Sequence, residues 1–213
     1  MVIEMKKVIG LIMILSVILC SFWIYKINGR ENIIYFEEYV EYLSEKNPYK
    51  ISELLNNAIK SIPACVLYDF EDRGFKIKIV DDISDYIANI SKDTVGLYVD
   101  SENCIYIEYK ALLSDTNVLQ HEMGHYIYFR LHLEDDVNLG ECYMFEWDNF
   151  IDVYRDYGAK NELEYFAEYF AIYLNGCLDT ELRTQTPLTY HYMETLYDRI
   201  ENADLIIDVI NFY

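Results

Sequence analysis

Residues 119–128 read LQHEMGHYIY, and no other stretch constrains the chain as much. His121 and His125 lie four positions apart. On a helix, positions i and i+4 differ by about 40° in direction, so both imidazoles point the same way and can reach one ion. Imidazole is a good zinc ligand, and two of them leave room for a third protein ligand and a water. Glu122 is turned about 100° from His121, so it flanks such an ion instead of binding it, and it can take a proton from an attacking water. Leu119, Met123, Tyr126 and Ile127 give the helix an apolar side. The five-residue pattern alone is weak, but the chain has only four histidines and two are here. Gly124 costs roughly 1 kcal/mol in a helix, so its place implies either a close helix contact or room beside a metal.

A catalytic zinc site needs one more protein ligand. Residues 157–174, YGAKNELEYFAEYFAIYL, offer two candidates on one helix face, Glu164 and Glu168. Leu163, Phe166, Ala167, Phe170 and Ala171 surround them, so both carboxylates lie near the buried side and need a partner. A metal and a metal-bound histidine are such partners. A pair of half-exposed acids on an acidic protein is the plainer alternative. Spacing does not choose between Glu164 and Glu168.

HEMGH followed by YGAKNELEYFAEYF resembles the catalytic domain of anthrax lethal factor and its relatives, the Pro-Pro endopeptidases. These are gluzincins with the pattern HExGH, then Y-G-x-x-N-E-x-E-[FY]-F-A-E. The resemblance extends upstream to GLYVDSENCIYI and downstream to TPLTYHYM, covering most of residues 70–200. It implies a zinc-dependent metalloendopeptidase acting on a protein or peptide substrate. By matched position it implies His121, His125 and Glu164 as zinc ligands and Glu122 as general base. Tyr157, seven residues before Glu164, becomes the hydrogen-bond donor to the oxyanion, and Glu168 the acid that holds a ligand histidine by its other ring nitrogen. The segment between the zinc helix and Tyr157 is short for this family. The toxin's delivery domains have no counterpart here, so the expectation is a membrane-anchored or secreted stand-alone peptidase. The competing reading is a non-catalytic membrane-anchored binding module that keeps the fold. An intact motif with every partner position filled argues against it.

The rest of the chain bounds the setting. Acids outnumber bases 37 to 17, and residues 31–213 carry a net charge of −23. Nucleic acid is excluded as a partner, since phosphate binding needs clustered Lys and Arg. The excess of acids serves solubility, with steering of a cationic substrate as the sharper alternative. A monomer is expected. Residues 8–25, VIGLIMILSVILCSFWIY, form an uncharged apolar run just long enough to span a bilayer. Lys6 and Lys7 precede it, Trp23 and Tyr25 sit at its far end, and no small-residue cleavage site follows. The expectation is an uncleaved single-pass anchor with the catalytic domain outside the cell, secretion after cleavage being the alternative. Residues 1–30 are then anchor and linker, and 31–213 the peptidase domain. Cys65, Cys104, Cys142 and Cys177 would allow two disulfides in an extracellular domain, or remain four isolated thiols.

Periodicity predicts helices over 34–46, 49–62, 117–133 (capped by Ser114-Asp115), 142–156 and 161–176, and another opening at Thr186-Pro187 with Thr186 as its cap. Strands are predicted at 75–81, 94–100 and 104–110, the last two joined by a Ser-Glu-Asn hairpin, with a loop over 133–141. The fold class that follows is α+β, a small mainly antiparallel sheet packed with several helices around a zincin-like site. Tyr165, Tyr169, Tyr173 and Trp147 are expected in the core, and His132 and His191 outside the site.

Overall fold

Among the described residues, four short strands order the domain: β1 (Val40–Tyr42), β2 (Lys76–Val80), β3 (Gly96–Val99) and β4 (Cys104–Glu108). They form one sheet in the order β1-β2-β4-β3. The computed structural model describes residues 39–114, 117–153, 160–176 and 178–201. Residues 1–30, with the apolar run 8–25, lie outside them, as do Asp115, Tyr157 and Cys177. Among the described residues no helix is long and apolar enough to cross a membrane.

The sheet is mixed, not mainly antiparallel. β1 pairs parallel with β2, β2 pairs parallel with β4, and only β3 and β4 run antiparallel. The connections explain this. The predicted Ser-Glu-Asn hairpin closes β3 onto β4 through a 3-10 turn at Asp100–Glu102, with Asn103 in the left-handed region at φ 49°. β1 and β2, in contrast, are separated by two helices, the kind of crossover that parallel strands require. These are α1 (Pro48–Ile59) and α2 (Ala64–Asp72).

The helix predicted over 34–46 is not formed in its described part, where Val40–Tyr42 is instead the edge strand β1. Its apolar residues satisfy either period, and pairing with Ile77–Ile79 decides for the strand. α1 matches the second predicted helix, with Asn47 accepting from the backbone N–H of Tyr49 and Lys50. Periodicity does not predict α2: Pro63 has the look of a helix stop but stands at the N-cap of this next helix.

The remaining helices are α3 (Tyr109–Ser114), α4 (Val118–Arg130), α5 (Val137–Val153), α6 (Glu162–Asn175), α7 (Asp179–Gln185) and α8 (Pro187–Glu201). Ser114 does not cap α4. It ends α3, and its hydroxyl donates to the Lys110 and Ala111 carbonyls. The predicted 133–141 loop is mostly ordered, as a 3-10 turn at Leu133–Asp135 and the first turn of α5. Thr186 does not cap α8 either: its hydroxyl donates to the Leu182 carbonyl. The buried Glu146 of α5 does so instead, accepting from the N–H of Leu188 and Thr189. A carboxylate there answers the positive end of the helix dipole.

α4 is the hub. Every residue from Val118 to Tyr128 is buried. It packs against α6 closely enough that a Cβ on Gly124 would lie 2.7 Å from the Ala167 Cα. Gly124 is therefore a helix-contact glycine, the first of its two readings. At its far end Arg130 Nε and the Tyr126 hydroxyl both donate to Asp69 of α2, at 2.8 and 2.5 Å.

Candidate metal centre

The first half of α4 carries the site. His121 and His125 lie one turn apart with ring centroids 4.8 Å from each other and planes perpendicular, and both are at least nine-tenths buried. α6 faces them. Its N-cap, Asn161, accepts from the Glu164 N–H and fixes the first turn, and Gly176 ends the helix in the left-handed region as predicted. From that first turn Glu164 places Oε2 3.3 Å from His121 Nε2 and 3.7 Å from His125 Nε2. One turn later Glu168 Oε2 lies 2.9 Å from His121 Nδ1. Thus the two acids that spacing could not separate meet different nitrogens of the same ring.

His121, His125 and Glu164 offer three ligand atoms all within 4.8 Å of one another, a group able to hold a metal ion. Zinc bonds of about 2.0–2.2 Å in tetrahedral arrangement need ligand atoms roughly 3.3–3.6 Å apart, close to the separations of Glu164 Oε2 from the two imidazoles. Glu164 Oε2 is buried and has no well-angled hydrogen-bond donor among the described residues, so it presents its lone pairs to the space between the rings.

The electrostatics also call for a cation. Burial works against a charged His121, yet its contacts with Glu164 and Glu168 carry its pKa up to about 10. Burial and the neighbouring His121 push His125 down to about 4. Burial raises the Glu164 carboxyl, but the two imidazoles more than offset this and hold it below the usual carboxylate range. The two carboxylates thus favour positive charge between them, in a place that suits a cation.

Glu122 is almost fully buried beside this cluster, turned toward the edge strand β3, and its Oε2 accepts from the Tyr98 backbone N–H at 2.8 Å. Burial raises its pKa to about 7. Sequence reasoning missed what surrounds it: a Cβ on Gly96 would stand 2.6 Å from Glu122 Oε1. The only signal was a glycine inside a predicted strand, which often marks a close approach. Tyr157 lies outside the described residues. His132 and His191 are exposed and belong to no cluster with the site, as expected. Tyr165 and Tyr169 are core residues, whereas Tyr173 and Trp147 are half-buried. Cys104 and Cys142 are free thiols, and Cys65 Sγ donates to the Ile200 carbonyl, so two disulfides are not formed.

No protein-family model and no curated protein matches the sequence. Among solved structures, the Pro-Pro endopeptidase PPEP-2 from Paenibacillus alvei is similar, with a TM-score of 0.61 and 19% identity. The match covers 76% of this chain and 98% of that one. At this identity the likeness shows the fold: the domain is built like that endopeptidase.

Proposed function

We propose that this chain is a zinc-dependent metalloendopeptidase. The observation that carries the reading is the convergence of His121 Nε2, His125 Nε2 and Glu164 Oε2 on one buried point, with the carboxylate of Glu122 beside it. The fold shared with a Pro-Pro endopeptidase supports it. Two imidazoles and one carboxylate are a zinc donor set that leaves a position open for chemistry.

Bound there, zinc supplies a Lewis acid that polarises a peptide carbonyl and makes water more acidic. The protein's own groups do the rest. Glu168 accepts from Nδ1–H of His121, which fixes the tautomer that leaves Nε2 free to bind. Glu122 takes a proton from the attacking water and delivers it to the leaving amine nitrogen, and a pKa near neutrality suits a group that must do both. Tyr157, by the sequence resemblance, donates to the carbonyl oxygen as it gains charge. The substrate is a protein or peptide. Residues 8–25 are proposed as a retained anchor that holds the domain outside the cell.

The test is metal analysis of the purified chain together with a protease assay with and without chelator. About one zinc per chain, the count a single three-ligand site implies, and chelator-sensitive cleavage support the reading. Metal-free protein that still cleaves peptides contradicts it.

A further inference from the structure

β3 is an edge strand, and its backbone alternates between two jobs. The Val95 carbonyl accepts from Glu108 N–H, and the register pairs Leu97 with Tyr106 and Val99 with Cys104. In an antiparallel ladder every second residue turns its N–H to the partner strand. Leu97 and Val99 therefore face β4, while Gly96 and Tyr98 face the open side. Among the described residues no strand pairs with β3 there. A backbone N–H at a bare sheet edge ordinarily meets water. That of Tyr98 donates instead to Glu122 Oε2, while Gly96, two residues earlier, lies against Glu122 Oε1.

A side chain at position 96 would force this arrangement to shift. A Cβ there would stand 2.6 Å from Oε1, 3.1 Å from Cδ of Glu122 and 2.8 Å from the Val118 Cγ2. No real Cβ is found so close, so either β3 withdraws or the carboxylate turns away. The backbone conformation does not demand glycine: Gly96 is not among the positive-φ residues. What demands it is the approach of the carboxylate, together with the Val118 methyl.

We propose that Gly96 is a positioning residue for the general base. The bare strand from Gly96 to Tyr98 is a cradle that clamps one oxygen of Glu122 and lets the other lie where a side chain would displace it. The proposal rests on the peptidase reading for its kinetic consequence but not for its geometry, and the two can fail separately.

The test uses the full chain, metal-loaded, as wild type, Val118→Ala, Gly96→Ala/Val118→Ala and Glu122→Ala. Val118→Ala removes the neighbouring methyl clash, so that in the double variant Glu122 supplies the closest contact with the new Cβ. Metal content and KM are expected to hold within about twofold, while kcat falls ~10–100-fold relative to Val118→Ala, the scale of a small misplacement of a reacting group. Amide hydrogen exchange reads the cradle directly. In wild type the Tyr98 amide should be protected like Leu97 and Val99 despite facing the open edge. In Glu122→Ala and in the double variant Tyr98 alone should exchange ~10-fold faster or more, as loss of a bond to a charged acceptor implies. A double variant with kcat within about twofold of Val118→Ala and Tyr98 still protected overturns the proposal. If the double variant does not fold, unchanged Tyr98 exchange in Glu122→Ala overturns it by itself. If metal-loaded wild type cleaves nothing, the peptidase reading falls and the exchange result alone judges the cradle.

Discussion

His121 Nδ1 lies 2.9 Å from Glu168 Oε2, while Nε2 of the same ring lies 3.3 Å from Glu164 Oε2. One imidazole is thus held between two carboxylates from consecutive turns of α6. The two acids should behave differently on mutation. Glu168→Ala should weaken zinc binding about 10–100-fold, because only the orientation of the ring is lost. Glu164→Ala removes a ligand and should weaken it more. Competition against a chromophoric chelator measures both, and the reverse order would refute the ligand assignment.

Glu122 gives a pH prediction for the metal-free protein. Burial raises its folded-state pKa to about 7, from the 4.5 of an exposed glutamate. Its protonated form is favoured by folding, so its contribution is fully present below about 4.5 and is lost as pH rises through about 7. Glu122→Gln removes this dependence. The variant should match wild type in stability near pH 4.5 and exceed it at pH 8 by about 2–4 kcal/mol, since each tenfold change in proton affinity is worth about 1.4 kcal/mol. Urea unfolding at the two pH values, with chelator present, checks the sign.

Gly124→Ala should destabilise the fold even though alanine is the better helix former. The propensity gain is at most about 1 kcal/mol. Against it stands a Cβ placed 2.7 Å from the Ala167 Cα, a clash with backbone that cannot swing aside. Overpacking of this sort costs roughly 1–3 kcal/mol. It should also lower zinc content, because it pries apart the two helices that carry the ligands. A higher unfolding midpoint with full zinc would show that the α4–α6 contact is not needed for the site.

These contrasts show what the sequence could reveal. The i, i+4 histidines and the Glu164/Glu168 pair were legible because helical geometry is local and fixes which side chains share a face. The sheet was less so. Val40–Tyr42 satisfied both periods, and only its partner β2, more than thirty residues away, made it a strand. The same holds for Gly96, whose reason is a carboxylate on another element. It holds for Glu146 as well, which caps α8 from α5 across 42 residues of sequence. In each case the deciding contact is tertiary and leaves little trace in nearby residues.

Tyr157 is assigned through the resemblance alone, so its test must separate a hydroxyl that acts from a ring that packs. Tyr157→Phe keeps the ring. If the phenol donates to the developing oxyanion, kcat should fall ~10²–10³-fold, with zinc content and KM nearly unchanged. A Tyr157→Phe enzyme with near-normal kcat would remove Tyr157 from the mechanism.

The central claim is that a metal ion held by His121, His125 and Glu164 works with Glu122 to hydrolyse peptide bonds. Cleavage profiling of a peptide library by zinc-loaded wild type and Glu122→Gln tests it most directly. Wild type should cut a defined set of bonds and lose this activity to chelator, while Glu122→Gln retains about one zinc per chain and cuts none, because its amide cannot accept the proton. An intact library with fully zinc-loaded wild type, or equal cleavage by the two proteins, would contradict the account.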